Sequence, residues 1–388
     1  METAAVKMEM SRFWRTLPAA LGCVLTACAA FAPGGPGISA PVSWSELSGW
    51  REDRPAEAWP ALLHGCQRLG ARAGRWREIC ADAALFPDPD DDIARAFFET
   101  RFVPHKAIGA NGAEGLITGY YEPLLNGSLT KTARFRYPIY RRPDDLLIVD
   151  LGELYPELKG KRVRGRLDGK RVVPYFSRAE IGDGARAIAG HELAWVDDPV
   201  ALFFLEIQGS GRVRLPDGRM LRVGYADQNG HPYVAIGRRL IEMNALRPEE
   251  VDLPTIRDWL AAHPDEAAAV LNHNPSYVFF APRDPGLPGP LGTLGAPLLP
   301  ERAVAVDPAY IPLGAPVWLD TTLPDDGAAR PYRRLMFAHD TGGAIRGAAR
   351  ADVFFGYGAA AEMLAGKMKQ PGRLFVLLPA PRLNGDNN

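Results

Sequence analysis

Two aspartates carry the densest chemical signal in the chain. Asp340 closes an apolar run, Leu335 to Ala338 plus His339, and is followed by Thr341-Gly342-Gly343. Asp352 opens a second run, Val353-Phe354-Phe355, after Arg346-Gly347-Ala348-Ala349-Arg350. Gly342 and Gly343 lack the Cβ that would hold a polymer away from the backbone. A carboxyl beside Val353 and Phe354 is partly desolvated. Desolvation disfavours the anion and raises the pKa, as an acid that must keep its proton near neutral pH requires. Aspartates in glycine-rich loops also cap turns, and spacing alone leaves both readings open.

The surrounding blocks carry more. Asp307-Pro308 precedes Ile311-Pro312-Leu313-Gly314; then follow Asp340-Thr341-Gly342-Gly343-Ala344-Ile345-Arg346-Gly347 and Asp352-Val353-Phe354-Phe355-Gly356. Upstream stand Thr118-Gly119-Tyr120-Tyr121-Glu122-Pro123, Tyr137-Pro138-Ile139-Tyr140, Ser177-Arg178-Ala179-Glu180-Ile181, Ile207-Gln208-Gly209-Ser210-Gly211, Asn229-Gly230-His231-Pro232-Tyr233 and Asn274-Pro275-Ser276-Tyr277. In this order, from about Gly115 to Leu378, the set resembles the membrane-bound lytic murein transglycosylase A family with its three-aspartate (3D) region. The resemblance implies an enzyme that cuts the MurNAc-β-1,4-GlcNAc bond of peptidoglycan without water and leaves a 1,6-anhydro-MurNAc end. It implies a mainly β fold with flanking helices: a double-psi β-barrel built from both chain ends, with a second β-barrel inserted. The expected segments are 43–125 with 276–380 for the first barrel and 126–275 for the insertion. Glycan strands are the expected partner, lying between the two, and neither cofactor nor metal is called for.

Asp352 matches the family's catalytic aspartate. Asp340 is read as its partner, orienting or tuning it, and Asp307 as structural. The chemistry is self-consistent. Ordinary glycosidases need two carboxyls, one for the leaving group and one for water or covalent attack. If the sugar's own 6-hydroxyl replaces water, one carboxyl can act first as acid and then as base, with intramolecular attack adding the advantage of proximity. Thr118, Tyr120, Tyr121, Gln208, Gly209, Ser210, Gly342 and Gly343 are the expected substrate contacts. Tyrosine faces stack on sugars, although neighbours on a strand point to opposite faces, so one of the pair could be core. Gln208-Gly209-Ser210 reads as a polar kink after an apolar strand at Ala201–Ile207. Two other functions remain: a non-catalytic peptidoglycan-binding lipoprotein, and an inverting hydrolase with Glu122 or Glu206 as base.

The elements that position these residues follow from periodicity. Val42 to Phe102 is helical in pattern, with Trp59–Leu69 and Trp76–Ala84 as a helical hairpin and an acidic Asp88–Asp92 start before Ala94, Phe97 and Phe98. Short apolar or alternating runs follow, punctuated by Gly, Pro and Asp. Leu215-Pro216-Asp217-Gly218-Arg219 marks a hairpin, because Asp-Gly tolerates the positive φ of tight turns. Helices are expected at Val234–Asn244, Leu253–His263 and Gly358–Lys367.

The first residues hold Lys7, Arg12 and Arg15, then an apolar run from Leu17 to Ala27 that is too short to span a bilayer. It ends Leu25-Thr26-Ala27-Cys28, which resembles a lipoprotein box with Cys28 as the lipidated residue of the mature chain; Cys23 is a weaker candidate, and Met8 or Met10 offers a later start. The expectation is a signal peptide over 1–27, a Pro/Gly-rich tether over 28–42, a loose tail over 381–388, and a lipid anchor on the periplasmic side of the outer membrane. A net charge of −1 over 388 residues gives no basic footprint for nucleic acid. Of four cysteines only Cys66 and Cys80 follow the box. Their helices would allow a disulfide or two buried thiols, and no metal-ligand spacing occurs among the scattered histidines. A monomer, with cell-wall synthesis or scaffold proteins as further partners, completes the expectation.

Overall fold

A computed structural model describes residues 35–69, 74–159, 163–184, 188–324 and 330–381. The signal peptide, Cys23 and Cys28 and nearly all of the tail lie outside the described residues. No helix among those described is long and apolar enough to cross a membrane.

Six strands close on themselves. In order around the ring they are β3 (Gly115–Glu122), β16 (Ala351–Tyr357), β13 (Ala303–Val306), β15 (Arg330–Asp340), β14 (Pro316–Leu323) and β17 (Lys369–Pro379), and β17 pairs back with β3. Closure removes the exposed edges that an open sheet would present. Alternation decides what fills the ring: Ile117, Val304, Val306, Val317, Leu319, Met336, Val353, Phe355 and Val376 meet inside it. The opposite faces of the same strands, at Trp318, Leu335, Phe337 and Phe375, pack against helices through Trp59, Phe97 and Phe98. β14 is therefore buried along almost its whole length, one face to the barrel interior and the other to the helices.

The covering helices are α1 (Trp59–Leu69), α2 (Arg75–Ala83) and α3 (Asp91–Arg101). Asp90 caps α3 by accepting from the Ile93 N–H at 2.8 Å. Cys66 and Cys80 form a disulfide between α1 and α2, which decides the pairing that the sequence left open. The far half of β17 also pairs with β2 (Phe102–Ile108), and β2 with β1 (Gly37–Pro41). Residues 37–41 are thus an edge strand rather than tether. Ile38 packs on the barrel core, and that burial overrides the Pro/Gly-rich composition.

Between β3 and β13 the chain builds a second sheet in the order β12-β11-β10-β4-β9-β5. Its strands are β4 (Leu124–Ser128), β5 (Tyr137–Tyr140), β9 (Glu192–Val196), β10 (Ser210–Arg214), β11 (Met220–Gln228) and β12 (Val278–Arg283); β6 (Leu147–Val149), β7 (Val163–Asp168) and β8 (Arg171–Val173) form a separate small sheet. A bridge from Arg141 to Phe280 joins the two edges. β10 and β11 form the expected hairpin around Asp217-Gly218.

After the short helix α4 (Arg178–Gly182), the expected strand at Ala201–Ile207 is instead helix α5 (Pro199–Gln208). Six consecutive residues, Ala201 to Glu206, are buried, and a helix apolar on all sides shows no amphipathic period. Its termini were readable: Asp198 accepts from the N–H groups of Val200 and Ala201, Pro199 takes the first turn, and Gly209 ends it at φ 75°.

Candidate active site

Strand register assembles the site. Ala305 on β13 lies opposite Asp340 of β15 on one side and Asp352 of β16 on the other. Asp352 in turn lies opposite Thr118 of β3, and Thr118 opposite Lys369 of β17. Asp340, Ala305, Asp352, Thr118 and Lys369 thus form one level across five strands on the outer face of the barrel. Simple alternation would turn Asp340 inward with Met336 and Ala338. The register instead slips between Val304 and Ala305, and this bulge re-aims Asp340 outward. Ala305, which lies between the two carboxyls on this level, is small and buried.

The two aspartates differ in surroundings. Thr118 Oγ1 donates to Asp352 Oδ1 at 2.5 Å, and Arg350 Nη2 donates to Thr118 Oγ1 at 2.8 Å. Burial pushes the Asp352 carboxyl up to about 6, opposed by the Thr118 hydrogen bond and the Arg350 charge and assisted by the negative charge of Asp340. Asp340 is more heavily solvated by protein. Its Oδ1 accepts from Thr293 N at 2.9 Å and Thr293 Oγ1 at 3.0 Å, and its Oδ2 from Tyr120 Oη at 3.0 Å. Burial raises the Asp340 carboxyl above its ordinary value too, against the opposing pull of the Thr293, Thr341 and Tyr120 donors. Burial and the Asp340 charge push the Tyr120 hydroxyl well above its ordinary value, so it remains a donor.

Asp307 is 6 % exposed. Its Oδ1 accepts from Ala309 N at 3.1 Å and its Oδ2 from Gly347 N at 2.8 Å, so it ties the 340–350 loop to the barrel. Within that loop the left-handed residue is Gly347, at φ 99°. A Cβ at Gly343 would meet nothing, and one at Gly342 would meet Ile345. The room expected at the glycine pair therefore exists at Gly343 alone.

The other expected contacts divide. Tyr120 packs on Phe354 and reaches Asp340. Tyr121 is 1 % exposed and belongs to the barrel core, so it offers no free stacking face; adjacent strand residues point oppositely, and Tyr121 took the inward direction. Gln208-Gly209-Ser210 is the end of α5 and the start of β10, not a kink after a strand. Gln208 Oε1 accepts from Tyr121 N at 3.1 Å, which joins the insertion to β3. Thr118, Gly119, Gln208, Met368 and Lys369 border a cleft of about 480 Å³, and Tyr121, though nearly buried, also lines it. Glu122 and Glu206 are bound in buried ion pairs: Glu122 Oε2 with Arg212 at 3.1 Å and Arg222 at 3.2 Å, Glu206 Oε2 with Arg178 at 2.7 Å.

Sequence reasoning missed three participants. Thr293 is 47 residues from Asp340 and stands in a Gly/Pro-rich loop with no local mark. Ala305 carries no chemistry and matters only through register. Arg350 lay in plain view two residues before Asp352, without a signal of direction. Among the described residues no group of His, Cys, Asp or Glu could hold a metal ion.

Two family models match the chain: the MltA specific insert domain over residues 116–281 and the 3D domain over 302–378. The chain is 34 % identical over 299 residues to membrane-bound lytic murein transglycosylase A of Escherichia coli strain K12, covering 74 % of each chain. Among solved structures, MltA from Neisseria gonorrhoeae in a monoclinic form superposes with TM-score 0.79 at 37 % identity, covering 90 % of this chain and 97 % of that one. E. coli MltA with bound chitohexaose superposes with TM-score 0.68 at 27 % identity over 90 % and 95 % of the two chains. The matches run through both strand-rich regions and across the aspartate loop, and the chain belongs to the membrane-bound lytic murein transglycosylase A family.

Proposed function

We propose that this protein is a peptidoglycan lytic transglycosylase in which Asp352 serves as acid and then as base. The observation that carries the reading is the contrast between the two carboxyls on one level: Asp352 has a single side-chain donor and a pKa near 6, while Asp340 has two, Thr293 Oγ1 and Tyr120 Oη, together with the backbone N–H groups of Thr293 and Thr341. A carboxyl near 6 is ~10 % protonated at pH 7, so the acid form is available where an ordinary aspartate would offer almost none. Asp352 gives its proton to the glycosidic oxygen as the bond from that oxygen to C1 of MurNAc breaks. The MurNAc 6-hydroxyl then closes on C1, and its proton goes to the Asp352 carboxylate. The acid is restored, no water enters, and the product carries a 1,6-anhydro ring. Asp340 acts through charge, raising the pKa of Asp352, and Tyr120 fixes the Asp340 carboxylate.

Hydrolysis by inversion needs a second carboxylate with free lone pairs, about 6.5–9.5 Å from the acid. Glu122 lies opposite Tyr357 on β3, four residues beyond Thr118, or ~13 Å along the strand. It and Glu206 are already engaged by arginines. The test is release of soluble muropeptide from isolated peptidoglycan. Asp352→Asn is expected to abolish it and Asp340→Asn to reduce it; full activity in Asp352→Asn with none in Asp340→Asn reverses the assignment. No release by the wild type supports a binder instead.

A lipid on Cys28 would hold this site near the outer membrane, where the wall is the fixed substrate. Cys28→Ala should leave activity on isolated peptidoglycan unchanged and free the enzyme from the membrane fraction; equal retention counts against the anchor.

A further inference from the structure

The outer face of β16 continues past Asp352. Phe354 lies opposite Tyr120 and Tyr357 opposite Glu122, so β16 uses three residues where β3 uses two. The extra residue makes a bulge, and Gly356 within it has φ 97°, a conformation that glycine adopts freely. The bulge returns Tyr357 to the face that carries Asp352 and Phe354. Their burial differs sharply: Phe354 is 1 % exposed and Tyr357 53 %.

This half-exposed ring has a built support. The Arg212 guanidinium carbon sits 3.5 Å from the centre of the Tyr357 ring. Arg212 is itself fixed, because its Nε and Nη2 both donate to Glu122 Oε2 at 3.1 Å. Glu122 is 1 % exposed and also accepts from Arg222. A three-residue ion network, buried at Glu122 and Arg222 and partly exposed at Arg212, therefore holds a cation under one face of an exposed aromatic ring, a favourable cation–π arrangement. Nothing in the acid–base chemistry uses Tyr357. The ring stands four ladder steps along β3 from the level of Asp352, ~13 Å at ~3.3 Å per residue.

We infer that Tyr357 is a stacking platform for a pyranose ring of the glycan strand, beyond the pair of sugars that flanks the cut, so that it favours longer strands. β-Linked pyranoses carry their polar groups equatorially and leave flat C–H faces, which suit the negative face of an aromatic ring. Because Arg212 already orders the ring, little freedom is lost on binding. The inference rests on the reading of this face as the glycan groove.

The test measures chitohexaose binding by calorimetry in the inactive Asp352→Asn protein, with Tyr357 retained or changed to Phe, Leu or Ala. Phe keeps the flat face and should bind within about twofold of the parent, while Leu and Ala should bind roughly three- to tenfold more weakly. The platform is refuted if Leu binds as tightly as Tyr, if Phe loses as much as Leu, or if the parent does not bind the hexasaccharide. If Ala fails to fold by thermal unfolding, the Phe–Leu comparison still decides. Turnover by the otherwise wild-type enzyme is read separately. Failure to release muropeptide, with hexasaccharide binding still dependent on Tyr357, overturns the lytic reading and keeps the platform; normal turnover and binding in Tyr357→Leu does the reverse.

Discussion

Replacing Thr118 by valine deletes the hydroxyl that donates to Asp352 Oδ1 at 2.5 Å and keeps the branched shape of the side chain. That hydroxyl favours the carboxylate over the acid and so holds the Asp352 pKa down. A hydrogen bond to a charged group contributes ~1.5–3 kcal/mol, and one pKa unit corresponds to about 1.4 kcal/mol. Its removal should raise Asp352 from about 6 by roughly one to two units. In the proposed mechanism the acid form starts the reaction, so kcat/KM should fall on the alkaline side as Asp352 of the free enzyme ionises. In Thr118→Val that limb should move to higher pH by roughly one to two units; in Thr118→Ser, which keeps the donor, it should stay. The assay is muropeptide release from isolated peptidoglycan across pH, with carboxyl titration by NMR as the direct check. An alkaline limb that does not move, or moves to lower pH, would refute the coupling. A change confined to KM would make Thr118 a substrate contact alone.

Three further outcomes concern stability. The folded Asp352 pKa, about 6, exceeds its ordinary 3.8, so the folded state holds this proton more tightly and stability falls as pH rises through that window. At pH 7 the anion costs up to about 3 kcal/mol; Asp352→Asn should recover part of it, raise the unfolding free energy and flatten its dependence between those two pKa values, as measured by urea titration. Arg178→Ala leaves the buried Glu206 carboxylate without its partner and should lower the denaturation free energy by ~3–5 kcal/mol, less at acid pH, where the burial-raised Glu206 takes a proton. Changing both Cys66 and Cys80 to Ser opens a loop of sequence separation 14 and should cost about 3 kcal/mol, read from the shift in denaturant midpoint; reducing agent should produce the same shift in the wild type and none in the variant.

What the chain disclosed before folding was mostly local. The Asp217-Gly218 turn, the helical hairpin around Cys66 and Cys80, and the strand ends at Asp340 and Asp352 each have signals within a few residues. The helix α5 was hidden because complete burial erases the period that separates helix from strand, although Asp198-Pro199 and Gly209 marked its ends. Tyr120 and Tyr121 could be told apart only when the barrel showed which face of β3 was inside. Thr293, Ala305 and the two bulges that aim Asp340 and Tyr357 depend on contacts between distant strands. The role of Pro41 and its neighbours as an edge strand was obscured by composition that also suits a linker.

The claim that Asp352 cuts glycan without water is tested most directly by the mass of the soluble product. Peptidoglycan digested with the purified protein should yield muropeptides lighter by one water than their reducing counterparts, with none from Asp352→Asn. Products ending in reducing MurNAc would contradict it.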